Sequence, residues 1–180
     1  MRATAIAQPN IALIKYWGKR DTNLNLPAVG SISITLSDLF TRMSVETDTS
    51  LADDVLRVNG REAQQMLPRI SHCLDSIAGS ERPKFRIDSD CNFPIAAGLA
   101  SSASSFAALV VAADAALELR LGRAALVRLA GRASGSAARS LMGGYVELMN
   151  LDDDIAVNQL LGPEDWPLAV VVAITAAGPK

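Results

Sequence analysis

Residues 94–105, Pro-Ile-Ala-Ala-Gly-Leu-Ala-Ser-Ser-Ala-Ser-Ser, form a small-residue loop that runs directly into an apolar stretch, residues 106–117. Gly98 permits a tight turn and lets the backbone come close to a ligand. The alanines keep bulk away, while Ser101, Ser102, Ser104 and Ser105 add hydroxyls. A helix starting here aims its unpaired N–H groups and positive dipole end back at the loop, which suits an anion and phosphate above all. The same residues would also serve as a Ser N-cap on a buried, Ala-rich helix. The loop is neither a Walker loop nor a dinucleotide-binding glycine fingerprint, so a nucleotide bound here is held by another arrangement.

Two further segments carry matching chemistry. Residues 10–20 place Lys15, Lys19 and Arg20 beside Tyr16, Trp17 and Gly18. The cations suit phosphate or carboxylate, and the rings suit an apolar wall next to them; a solvated basic strand end is the plainer alternative. Ser134-Gly-Ser-Ala-Ala-Arg-Ser140 opens another helical stretch with Arg139 on its first turn, so that N–H groups, hydroxyls and a guanidinium converge. Each segment alone is unremarkable. Together they point to phosphate chemistry, with one ligand phosphorylated at both ends or two phosphorylated ligands.

The remaining composition narrows the field. His72 is the one histidine and falls inside a helical pattern, residues 61–78, where it reads as structural or surface. Ser-His-Asp hydrolysis and His-rich zinc sites are thereby set aside. Cys73 and Cys91 lack Cys-x-x-Cys spacing and read as the reduced thiols of a cytoplasmic protein. A net charge of −2 gives no electrostatic footprint for nucleic acid. Neither a membrane span nor a secretory signal is expected. Asp152-Asp153-Asp154 reads as a solvated turn, and no residue is assigned as a direct metal ligand.

The elements that must position these segments follow from periodicity. Residues 3–17 read as an extended strand bending into a loop, and residues 31–37 alternate hydroxyl and aliphatic with the period of a half-buried strand. Further strands are expected at 40–47, 54–58, 84–90 and 145–149, with Asn59-Gly60 as a tight turn. Helices are expected at 61–78, kinked or divided at Pro68, and at 103–119, 123–133 and 136–142. Residues 168–173 read as an aliphatic strand. Strands, then helices, then strands imply α+β architecture with helices packed on one face of a mixed sheet. Aromatic residues make up only 4%, so the core is built from Ala, Leu, Val and Ile.

The blocks 11–21 with Leu24-Asn-Leu-Pro27, 93–104 and 134–145 resemble, in order and spacing, those of diphosphomevalonate decarboxylases of the GHMP kinase superfamily. Lys15-Tyr-Trp-Gly-Lys-Arg20 is the specific block, and the resemblance covers essentially the whole chain. It implies a GHMP-kinase N-terminal domain, ribosomal protein S5 domain 2-like, over residues 1–165. Residues 166–180 would then be the first strand of a ferredoxin-like C-terminal domain. The implied reaction uses ATP and Mg²⁺ to convert mevalonate 5-diphosphate to isopentenyl diphosphate, phosphate and carbon dioxide in the mevalonate pathway. Tyr16, Trp17, Lys19, Ser134, Ser136 and Arg139 would contact substrate, with Lys19 and Arg139 at the reacting end and Arg139 neutralising the carboxylate. Gly98, Ser101, Ser102 and Ser104 would cradle the ATP phosphates.

Three features of the family have no counterpart in these residues: its second domain, a Ser/Thr-rich segment with an Arg, and a catalytic Asp in a late Asp-Ala-Gly-Pro-like stretch. The 180-residue chain is therefore expected to lack turnover by itself. Ala133 and Ala138 stand where Gly and Cys are frequent in the family, a change of packing rather than role. The alternatives are a phosphomevalonate decarboxylase, a mevalonate 3-kinase-like relative, or a non-catalytic module that binds phosphorylated ligands. An uncovered strand at 168–173 would also permit a homodimer.

Overall fold

The computed structural model describes residues 1–15, 17–95 and 98–173, so Tyr16 lies outside the described residues. Along the chain run β1 (Arg2–Ala7), β2 (Asn10–Ile14), β3 (Lys19–Asp21), β4 (Leu26–Pro27), β5 (Ser31–Thr35), β6 (Thr41–Thr47), β7 (Val55–Val58) and β8 (Arg61–Glu62). Then come α1 (Leu67–Ala78), β9 (Phe85–Cys91), α2 (Ser101–Ala116), α3 (Arg123–Ala133), a 3-10 turn (Ala137–Leu141), β10 (Tyr145–Asn150) and β11 (Ile155–Leu161).

Alternation with period two builds the first sheet, ordered β1-β6-β9-β7-β8 and mixed because β7 runs parallel to β9. Met43 and Val45 of β6 and Phe85 and Ile87 of β9 are buried, while Arg42, Glu46, Arg86 and Asp90 alternate with them on the other face. The buried face is covered by α2, which packs on β1 and β6. This helix is apolar on all sides, which fits the central position it takes rather than a surface one. Its alanines, among them Ala107, Ala108, Ala112 and Ala113, allow a close approach to the sheet. Helices α1 and α3 flank it.

A second, antiparallel sheet has the order β11-β10-β5-β2. In β5 the aliphatics Ile32, half-buried, and Ile34, buried, take one face, while the hydroxyls of Ser31 and Ser33 are buried on the other. The reason lies in what they meet, a buried guanidinium described below. Strands β3 and β4 pair only with each other. They reach the rest of the domain through Leu26, buried with Val127, Ala138, Leu148 and Ile155 in a small second core.

The α+β reading, a mixed sheet with helices, holds. Several local expectations change. Pro68 does not kink a helix over 61–78; it stands in the first turn of α1, where its fixed φ and missing N–H cost nothing, and residues 61–62 are strand β8. The stretch 136–142 forms a 3-10 turn over Ala137–Leu141. Residues 168–173 belong to no strand. His72 is exposed on α1, and both cysteines are free thiols. Burial pushes the Cys73 thiol up to about 12, which leaves it unreactive at neutral pH. Among the described residues no helix is long and apolar enough to cross a membrane.

The turn into β10 gives a first test. Gly144 has φ +77, and a Cβ there would stand 2.3 Å from the Leu161 carbonyl oxygen. Gly144→Ala is expected to destabilise the chain by about 2 kcal/mol through left-handed strain and a displaced strand end. Urea denaturation reads this directly, and an unchanged midpoint would show that the β10–β11 end is slack.

Candidate anion-binding site

An open cavity of about 400 Å³ lies where the β3–β4 hairpin, α1 and the end of α3 meet. The hairpin contributes Lys19, Thr22, Asn23 and Asn25, helix α1 contributes Arg69, and the end of α3 with its following loop contributes Arg132 through Gly135. Three of these lining groups are cations and none is a carboxylate. A concave surface lined by one sign of charge concentrates counter-ions, so this lining suits an anion.

The elements that carry these cations are fixed by contacts far apart in sequence. The Arg69 guanidinium lies over the Phe106 ring at 5.1 Å and donates to the Ala133 carbonyl at 3.3 Å. Arg132 is in the last turn of α3. That turn is closed by Asn25, whose Nδ2 donates to the carbonyls of Gly131 at 2.9 Å and Arg132 at 3.2 Å, groups a helix end leaves without partners. Ser134 donates its backbone N–H to Ala130 at 2.9 Å, and its hydroxyl donates to Ser102 Oγ at 3.4 Å. The loop after α3 therefore touches the start of α2.

Beyond Ser134 the chain enters the 3-10 turn and buries Arg139, which is 1% exposed. Arg139 Nε donates to Ser33 Oγ at 2.9 Å, and its terminal nitrogens donate to Ser31 Oγ and to Asn10 Oδ1, the latter at 3.3 Å. The Asn10 amide in turn donates to the Ser136 carbonyl at 3.0 Å and to Ser140 Oγ at 2.7 Å. A buried charge is tolerated only when such polar groups surround it. This is why β5 turns its serines inward. The network joins β2, β5 and the 3-10 turn, and fixes the guanidinium one turn beyond the cavity-lining loop.

The first loop is equally specific. Gly98 has φ +84 with open space where a Cβ would stand. Ala100, φ 53, is the N-cap of α2 and supplies no side-chain hydrogen bond, so the alternative of a Ser N-cap is not realised. Ser101 and Ser102 are instead the first helical residues, half-buried, at a helix start whose N–H groups have no partners within the helix.

Lys19 and Ser134 are thus brought together in the cavity, Ser102 touches Ser134, and Ser136 is linked to Arg139 through Asn10. Ser104 is fully buried, its hydroxyl paired with Thr41 Oγ1 at 2.7 Å and the Ser101 carbonyl at 3.1 Å, so it faces the core rather than the loop mouth. Trp17 is 77% exposed and does not line the cavity. Sequence reasoning passed over Arg69, Arg132, Asn25 and Asn10. The inward hydroxyls of β5 were the available signal for Asn10, since they call for a buried polar partner; Arg69 carries no local signal on its helix.

The chain is 41% identical over 185 residues to the diphosphomevalonate decarboxylase of Saccharomyces cerevisiae, a match covering 92% of this chain and 47% of the yeast protein. To that of Candida albicans it is 40% identical over 197 residues, covering 99% and 54%. It spans about half the length of the curated relatives it matches. Its fold superimposes on the mevalonate diphosphate decarboxylase from Enterococcus faecalis with a TM-score of 0.82 at 36% identity, over 89% of this chain and 52% of that one. A complex of MDDEF with MVAPP, AMPPCP and magnesium gives a TM-score of 0.81 at 36% identity, over 89% and 51%. With the family model for the diphosphomevalonate decarboxylase-like N-terminal domain matching residues 7–156, this chain belongs to that family.

Proposed function

We propose that residues 1–165 form the ATP- and substrate-binding domain of an ATP-dependent diphosphomevalonate decarboxylase of the mevalonate pathway. The observation that carries this reading is the cavity in which Lys19, Arg69 and Arg132 surround Ser134, within hydrogen-bond reach of Ser102 at the start of α2. A diphosphate group matches that charge. Lys19 and Arg69 supply the opposing cations, and Ser134 and Gly135 supply hydroxyl and backbone contacts on a loop anchored to α3. Ser136 and Arg139 lie further along the same loop, and Arg139 balances the substrate carboxylate from its hydroxyl-lined seat. The family resemblance also assigns Tyr16 and Trp17 to the substrate, although Trp17 does not line this cavity.

The start of α2 fits nucleotide phosphates: Gly98 leaves open space, and no side chain caps the N–H groups before Ser101 and Ser102. Gly98, Ser101 and Ser102 would hold the phosphates of ATP, and Ser104, bonded to Thr41, keeps the first turn in place. When bound, ATP with Mg²⁺ supplies the phosphoryl group for the 3-hydroxyl of the substrate. What this chain's own residues contribute is fixed positive charge and donors arranged before the ligand arrives, the main demand of phosphoryl transfer.

Isothermal titration calorimetry with mevalonate 5-diphosphate tests the reading. Binding is expected to be tighter than for mevalonate 5-phosphate. Lys19→Met and Arg69→Met are each expected to weaken it about tenfold, the worth of one charge-assisted contact. A chain that takes up neither ligand at millimolar concentration would overturn the assignment. Equal affinity for both would favour a monophosphate substrate instead.

A further inference from the structure

The β3–β4 hairpin brings Lys19 to the cavity, yet it hydrogen-bonds to neither large sheet. An isolated two-stranded hairpin is marginal in water, so its position depends on side-chain anchors. Arg20 is the anchor on its outer side. Its guanidinium donates to the carbonyls of Leu151, Asp152 and Asp154 in the β10–β11 turn, the last at 2.9 Å. That turn is itself tied to α3, because Arg128 Nε meets Asp154 Oδ2 at 2.6 Å. Lys19 lines the cavity, whereas Arg20, at the break in the β3–β4 register between Lys19 and Asp21, reaches the β10–β11 turn. One faces the ligand while the other grips the turn.

We propose that Arg20 is a positioning residue for the anion site: by clamping the hairpin to the β10–β11 turn it sets where Lys19 stands in the cavity. The proposal rests on the reading of that cavity as the seat of the substrate's phosphates. Two guanidinium nitrogens span the three carbonyls, and the single nitrogen of a lysine cannot occupy both positions. Arg20 is solvent-exposed, so its clamp adds little to global stability and acts mainly on geometry.

The test is a double-mutant cycle read by calorimetry with mevalonate 5-diphosphate and inorganic pyrophosphate. Arg20→Lys, which keeps the charge, is expected to weaken both ligands about fivefold with the thermal midpoint almost unchanged. In a Lys19→Met background the same substitution is expected to have almost no effect, since the residue it positions is gone. Arg20→Gln provides the same cycle if the lysine variant folds poorly. Wild-type affinity in Arg20→Lys overturns the proposal, as does an equal loss in both backgrounds. If the wild-type chain binds neither ligand, the reading of the cavity falls, and the proposal with it.

Discussion

Asp54→Ala is expected to remove about 3–5 kcal/mol of stability, the cost of leaving a buried arginine without its carboxylate. Arg82 and Asp54 are both almost fully buried, with Arg82 donating to the two Asp54 oxygens at 2.9 and 2.7 Å. Asp54 also accepts from the Ser71 hydroxyl at 2.7 Å and the Phe85 N–H at 2.9 Å. Asp75 gives Arg82 a second, more exposed partner at 2.9 Å. The cluster joins the start of β7, helix α1 and the start of β9, so its loss loosens three elements at once. In a domain of this size the thermal midpoint is expected to fall by about 10 °C. Asp54→Leu combined with Arg82→Met is expected to recover most of the loss, because a packed apolar pair does not strand a charge. A midpoint within about 2 °C of wild type in Asp54→Ala would show that the buried pair is not what holds these elements.

The same cluster sets an acid limit. Burial acts to raise the Asp54 carboxyl, but the hydrogen bonds from Arg82, Ser71 and the Phe85 N–H, with the guanidinium charge, outweigh it and hold the group below its ordinary value. A carboxyl lowered in the folded state contributes stability above the unfolded value near 4, and that contribution is lost as pH falls through the folded value. Asp48, lowered to about 2 by the Ser50 hydroxyl and by Arg86, acts in the same sense. Denaturant titrations between pH 6 and 2 are expected to show stability falling below about pH 4, with a shallower fall in Asp54→Leu/Arg82→Met.

Arg139→Gln is the second substitution with a large expected effect. Its guanidinium serves Ser33, Ser31 and Asn10, and the shorter amide cannot reach all three. Stability is expected to fall by about 2 kcal/mol from the buried hydroxyls left without donors. The larger effect falls on ligand. If Arg139 balances the substrate carboxylate, affinity for mevalonate 5-diphosphate drops about 100-fold, while that for isopentenyl diphosphate, which has the diphosphate but no carboxylate, changes less than about threefold. Equal losses for both ligands would move Arg139 to the diphosphate end. No loss for either would leave it a purely structural group.

Much of the architecture was legible because it depends on local pattern. The strands β6, β7, β9 and β10 and the helices α2 and α3 fall close to where alternation, apolar runs and glycines place them. The division of residues 61–78 was not legible, because Pro68 is compatible with either a kink or a helix start, and only the pairing of Arg61–Glu62 with β7 decides. The 3-10 turn was missed for a related reason: Ala, Arg and Ser favour helix locally, but Asn10 and β5 hold the segment from the side.

The site divides along the same line. By itself the sequence pointed to a phosphorylated ligand and to two loops suited to it, since Gly98, the serines after it and the Ser134–Arg139 segment have few other joint uses. Membership of the family followed from those same short blocks. Tertiary structure alone decided that Arg69 and Arg132 join Lys19, that Asn10 and the serines of β5 hold Arg139, that Ser104 turns to the core, and that Arg20 grips a turn some 130 residues away. Local pattern reports which backbone conformation and which chemistry a segment can support. A salt bridge, a cap or a clamp between distant residues depends on how the elements pack, and side chains that look like solvated surface in sequence acquire their roles only there.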